Sequence, residues 1–234
     1  MSPSARGVTW EDDLWGHVAV STGLPERDDG NREGLQSIFA RLLDTAPTNT
    51  PFQLHDVHSC RSVCADDLKP DCVMSLRHKP MVPMTTGFVL DLKRQDSLYD
   101  NSKNIGKAIT YGRMCLQQLP RSLRSTVLVG LTDLHTITLI RVTLSVHPDQ
   151  EASMSAQVSE AYPDVRHILT QLLSSQPSDL HVNLPDLGPS IEIIDFLGHG
   201  ATSDVYKALK DEQQVSAHMN TSTGWLLVLI ITCS

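Results

Sequence analysis

Between Ser174 and Pro189 the hydrophobic period disappears and the chain reads SSQPSDLHVNLPDLGP, an accumulation of Ser, Pro, Asp and Gly that is linker chemistry. One domain stops here and another begins. The expected division is an acidic N-terminal segment over 1–30, a main domain over 31–173, a linker over 174–190, a short β-rich segment over 191–219 and an apolar tail over 220–234. At 40% hydrophobic and 20% charged residues, the 234-residue chain has the composition of a globular protein rather than a disordered, collagenous or disulfide-rich one.

Within the main domain the periodicity alternates between helix and strand. Asn31 to Asp44 places Leu35, Ile38, Phe39, Leu42 and Leu43 at helical spacing, with Asn31 as N-cap. The short mixed segments 52–58 and 71–76 suggest a hairpin with a long connection, and Pro80 and Pro83 break the chain after it. Gly87 to Lys93 is rich in strand formers, and alternation puts Phe88, Leu90 and Leu92 on one face and Val89, Asp91 and Lys93 on the other. Asn101 to Leu119 reads as a helix stopped by Pro120; Thr126–Thr132 and Thr136–Val146 read as strands about a turn at 133–135. Ser155 to Leu173 reads as a closing helix interrupted near Pro163. The fold class expected is α/β, a mixed sheet flanked by helices.

Charge is unevenly spread. The chain carries −8, yet the window from Lys69 to Arg124 holds ten basic residues against four acids and is +6. A polyanion such as nucleic acid is therefore the expected partner of the 69–124 window. The N-terminus lacks the apolar stretch of a secretory signal and the run Trp225–Ile231 is far shorter than a membrane span, so the expectation is an intracellular chain with no membrane partner. His55, His58, Cys60, Cys64 and Cys72 could be assembled into a zinc site on paper, but Cys60-x3-Cys64 has no second close pair. Reduced thiols are the simpler expectation.

Two carboxylates and a lysine on adjacent strands are what metal-dependent phosphodiester hydrolysis requires. Hard Asp oxygens hold Mg²⁺ or Mn²⁺, and an ammonium positions water and offsets developing negative charge. Asp71, Asp91 and Lys93 fit that pattern. Acid-x-Lys alone is weak evidence, since Asp67-x-Lys69 is a second example; the bland reading is a solvated cross-strand patch. The context adds weight: Pro70-Asp71, an apolar strand ending Val-Leu-Asp-Leu-Lys whose Asp91 is separated from Asp71 by nineteen residues, then a helix with Gly106, Lys107 and Tyr111. This arrangement resembles the PD-(D/E)XK nuclease superfamily. The resemblance implies Glu33 as an acid donated by the first helix, Asp71 and Asp91 as metal ligands, Lys93 as the catalytic lysine, and Lys107 with Tyr111 as a pair presented by the later helix. Many members of that superfamily are degenerate binding modules, so binding without cleavage is carried as an alternative.

A second motif begins at Ile191. An apolar strand runs into Leu197-Gly198-His-Gly200-Ala-Thr-Ser203-Asp-Val205 and returns as Tyr-Lys-Ala, so that backbone amides free of side chains could cover nucleotide phosphates. It resembles the opening of a protein kinase small lobe, which implies a nucleotide-binding role for Leu197, Gly198, Gly200, Ser203 and Val205. Met219 stands where that family has the phosphate-pairing lysine, and neither His-Arg-Asp nor Asp-Phe-Gly occurs. ATP binding is therefore expected to be weak and phosphoryl transfer absent. The apolar tail reads as the altered end of a truncated kinase domain, with a short strand as its alternative. A nuclease-like domain before a kinase is similar to the tails of Crinkler-type effectors and to fungal-type protein kinases. Two functions follow from these resemblances: nucleic-acid phosphodiester hydrolysis or binding by the first domain, or an ATP-binding kinase family fragment whose upstream domain regulates or targets it.

Overall fold

The structure, a computed structural model, describes residues 49–57, 69–93, 101–119, 124–145, 153–184, 191–199, 203–210, 213–220 and 226–229. The helix expected over 31–44, and Glu33 with it, lies outside the described residues.

Alternating apolar residues in the middle of the chain build a six-stranded sheet from β1 (Phe52–Asp56), β2 (Cys72–Leu76), β3 (Thr86–Leu92), β4 (Thr126–Thr132), β5 (Ile137–Ser145) and β6 (Ser153–Tyr162), in that spatial order. The expected hairpin of β1 and β2 is present as an antiparallel pair. Every pairing is antiparallel except β3 with β4. A parallel pair needs a crossover connection, and helix α1 (Asn101–Gln117) supplies it.

Because side chains alternate across a strand, each strand feeds two cores. On one face Val73, Val89, Val127, Val129, Ile140 and Val142 pack with Ala108, Tyr111, Cys115 and Leu116 of α1. On the other, Phe52, Met74, Phe88, Leu90 and Leu139 pack with Val165, Ile168, Leu169 and Leu172 of helix α2 (Val165–Ser174). The result is a helix–sheet–helix sandwich. Gly112 sets its thickness on the α1 side, since a Cβ there would come within 2.6 Å of Val142 Cγ2.

The closing helix expected over 155–173 is instead a strand followed by a shorter helix. Residues 153–162 pair with β5 through a register shift, where the Ser159 hydroxyl accepts from the Leu139 amide (2.9 Å). Pro163 separates the two elements and Asp164 caps α2 by accepting from the His167 amide. The free edge of β5 outweighed the helix propensity of Ala, Gln and Glu, as tertiary pairing commonly does.

Part of the expected linker is packed. A 3-10 turn at Pro177–Leu180 follows α2, and Leu180 and Val182 are buried in the α2-side core. Beyond it β7 (Ile191–His199), β8 (Ser203–Lys210), β9 (Gln213–Asn220) and β10 (Leu226–Leu229) form an antiparallel sheet in the order β10-β9-β8-β7. Within the apolar tail, 226–229 is thus a short strand. Ile193, Tyr206, Ala208, Val215 and Ala217 bury one face of this sheet in the same continuous cluster as the α1-side core, near Met81, Val82 and Met84. Lys79 Nζ and Glu192 Oε1, 2.7 Å apart, form an ion pair between the two regions.

Candidate functional site

Asp71 immediately precedes β2, and Asp91 is the penultimate residue of β3. The register that pairs Cys72 with Leu90 sets the two aspartates opposite each other, a placement fixed by backbone bonds from Asp71 N to Leu90 O (3.1 Å) and Val57 N to Asp71 O (3.0 Å). Their carboxyl groups are hydrogen-bonded to each other. The Leu92 amide donates to Asp71 Oδ2 at 2.7 Å. Burial, followed by the hydrogen bond and the charge of Asp91, pushes the Asp71 carboxyl up to about 6, against the opposing pull of the Leu92 amide and the Lys93 ammonium.

Lys93 follows β3 directly, and its amide donates to Thr132 O (2.8 Å), so the parallel ladder with β4 extends to the lysine. Its ammonium forms an ion pair with Asp91 Oδ2. The alternation that put Asp91 and Lys93 on one strand face is therefore realised as direct contact. Lys107, from the first half of α1, approaches the same oxygen at 3.5 Å. The Asp91 side chain is 2% exposed, and its Oδ2 has no hydrogen bond of good geometry despite the two ammonium groups facing it. The two ammonium groups supply the opposite charge that a buried carboxylate needs.

Tyr111 is fully buried; its hydroxyl donates to Lys69 O (2.8 Å) and its ring lies 5.3 Å beneath the Lys107 ammonium. It therefore fastens the segment leading to Asp71 onto α1 and supports Lys107 through a cation–π contact. The resemblance placed Tyr111 among catalytic residues; here its hydroxyl is engaged by a backbone carbonyl, and it positions others. Nothing in the sequence marked Lys69 as the other half of this bond, since the contact is made by a carbonyl that every residue carries.

The basic window is less of a surface than its charge suggested. Arg124 is buried, and its guanidinium donates to the carbonyls of Thr126 (2.6 Å), Gly87 (3.3 Å) and Thr86, holding the starts of β3 and β4 together. Burial lowers its pKa to about 10. Arg77 donates to the carbonyls of Thr50 (2.9 Å) and Phe52 (3.1 Å). Lys69, Lys103 and Arg113 are exposed; Arg94 and Arg121 lie outside the described residues.

His55 and Cys72 lie on opposite faces of the sheet. The His55 Nε2 bonds Ser75 Oγ (2.8 Å) on the α1 side, while Cys72 belongs to the α2-side core, where burial pushes its thiol pKa far up. The sheet does not assemble these two into one metal site; His58, Cys60 and Cys64 lie outside the described residues. Among the described residues no three His, Cys, Asp or Glu side chains cluster as a metal cage.

In the second sheet Leu197 is exposed and Gly198 has φ +149°, with no atom of the described residues within 4 Å of where a Cβ would stand. That backbone favours glycine. Two register shifts in β7, at 193/195 and 196/198, precede the pairing of Gly198 with Val205, which is half-buried. Ser203 opens β8; Gly200 lies outside the described residues. Register sets Met219 opposite Asp204. Among the described residues no helix is long and apolar enough to cross a membrane.

No family model matches the chain, and neither a curated protein nor a solved structure matches it.

Proposed function

We propose that the six-stranded domain is a metal-dependent nucleic-acid phosphodiesterase of the PD-(D/E)XK type. The observation that carries this reading is the convergence of Asp71, Asp91, Lys93 and Lys107 at the ends of β2 and β3 and the start of α1. Asp71 and Asp91 offer hard oxygen donors of the kind that Mg²⁺ and Mn²⁺ take. A bound Mg²⁺ or Mn²⁺ would supply polarisation of the phosphate and activation of water. Lys93, held by its amide to β4 and by its ammonium to Asp91, orients the attacking water and offsets the charge that develops on phosphate oxygens. The exposed Lys69, Lys103 and Arg113 supply charge for the phosphate backbone.

The kinase small-lobe reading of the second sheet is supported by the β7–β8 hairpin and the positive φ of Gly198. It gives the alternative function, an ATP-binding kinase family fragment regulated or targeted by the domain before it. With Met219 at the lysine position, it implies weak nucleotide contact and no phosphate transfer.

The test is cleavage of labelled DNA and RNA by the full chain with Mg²⁺ or Mn²⁺. Cleavage abolished by Asp91→Ala is the expected result; salt-sensitive binding without cleavage under either metal would leave a binding module in its place.

A further inference from the structure

We infer that two copies of this chain pair through the outer edge of β6, strand to strand and antiparallel, so that their six-stranded sheets become continuous. β6 ends its sheet, and among the described residues β5 is the one strand it pairs with. The backbone groups along its other edge therefore form an open ladder, a template that another strand can extend. Such edges are commonly guarded by lysine, proline or a bulge. Ser153–Tyr162 contains no lysine, arginine or proline, and Glu160 is its sole charged side chain. The register shift opposite Thr138 and Ile140 puts a bulge at 159–160, which leaves 153–158 as a regular, unguarded stretch.

The side chains select a second copy as the occupant. Pairing sets Met154 beside Leu144, Ala156 beside Val142 and Val158 beside Ile140, so these three carry the apolar α1-side face one strand further. Helix α1 covers β3, β4 and β5. Beyond that cover Ala156 is exposed and Val158 is 44% exposed. Antiparallel pairing about a two-fold axis at Ala156 closes the row on itself: Ala156 meets its own copy, and Met154 of each chain meets Val158 of the other. On the opposite face Ser155 meets Gln157, both neutral and able to share a hydrogen bond. A two-fold interface needs this self-complementarity. With the axis moved one residue, to Ser155, Met154 would meet Ala156 and Val158 would run past the end of the other strand. The two Glu160 carboxylates stand roughly 26 Å apart along the seam, well beyond a Debye length of about 8 Å, so their like charge does not oppose the pairing.

The ladder joins residues 154–158 of each copy, against about 20–30 residues a side in a standard interface, so the dimer is expected to be reversible. Sedimentation velocity of the full chain over a dilution series is the test, with the mass of two chains at high concentration giving way to one on dilution. Ala156→Lys sets like charges directly opposite each other and is expected to leave one chain at every concentration, with an unchanged circular dichroism spectrum. Ala156→Glu should do the same, and an equimolar mixture of the two variants should regain the two-chain mass. A wild type that sediments as one chain throughout overturns the inference, as does a dimer that persists in either variant or a mixture that stays monomeric. Where a variant does not fold, Ala156→Cys takes its place. Directly opposite residues lie about 4.5–5.5 Å apart at Cα, within disulfide reach, so mild oxidation should link two Ala156→Cys chains under conditions that leave the wild type unlinked. Failure to link would equally overturn the pairing.

Discussion

The two sheets carry their distinctive chemistry in different parts of the chain. In the six-stranded sheet it lies in side chains: Asp71, Asp91 and Lys93 sit at strand ends where both faces are already covered by α1 and α2. In the four-stranded sheet it lies in the backbone: Gly198 at a positive φ and two register shifts in β7. One face of that sheet is buried with the first domain, through Ile193, Tyr206, Ala208, Val215 and Ala217. The difference teaches that a buried, nearly inaccessible carboxylate needs a complete sandwich around it. The backbone at Gly198 needs only a hairpin that leaves room for glycine.

The largest effect is expected where the comparison draws its boundary. If 177–182 belongs to the first domain, a chain ending at Ser175 loses the burial of Leu180 and Val182, each contributing about 1.5–3 kcal/mol. Urea melts should then show it less stable than a chain ending at Leu184 by about 3–6 kcal/mol. Equal stability of the two would return that segment to the linker.

Within the side-chain site, Lys93→Ala should slow cleavage by about 10²–10³-fold, about 2.7–4 kcal/mol, as when one preorganised charge-stabilising donor is lost. Metal affinity should be largely kept, because Asp71 and Asp91 remain. Single-turnover rates beside Mn²⁺ binding separate the two effects, and a rate unchanged in Lys93→Ala would move the site elsewhere.

A smaller effect distinguishes the site by pH. The folded Asp71 carboxyl titrates at about 6, above the ordinary aspartate value near 3.9 that it has unfolded. The folded state therefore holds this proton more tightly. Stability from Asp71 is fully present below pH ~3.9 and is lost as pH rises through about 6. Asp71→Asn keeps an acceptor for the Leu92 amide and a donor toward Asp91, so in metal-free protein it should be the more stable form at pH 7.5, by about 1–2 kcal/mol, with the gap closing toward pH 4. A gap independent of pH would mean the carboxyl pair does not share a proton.

The smallest effect concerns nucleic-acid affinity. Neutralising exposed Lys103 or Arg113 should weaken binding modestly and lower the salt slope of log K by about one unit each. Arg124→Gln should not alter that slope in protein that remains folded, since the arginine is buried against carbonyls.

Much of this was written in local pattern. The strands 86–92, 126–132 and 137–145 and the helix 101–117 follow the periodicity of their own residues, and the Asp91/Lys93 face follows from two-residue alternation. Residues 153–162 show where that logic stopped, since the same residues suit a helix and became a strand because β5 had an edge to offer.

By itself, then, the sequence determined the apolar stripes, the position of the acid-x-lysine pair on a strand end and the glycine hairpin after residue 190, because each depends only on neighbours along the chain. Tertiary structure decided that Asp71 meets Asp91, that Lys107 reaches Asp91 from a helix, that Tyr111 is tied to Lys69 and that Arg124 lies inside. Those outcomes depend on register, on crossover through α1 and on which surfaces are left to bury. Such pairings join residues up to about forty positions apart, and no local period encodes them.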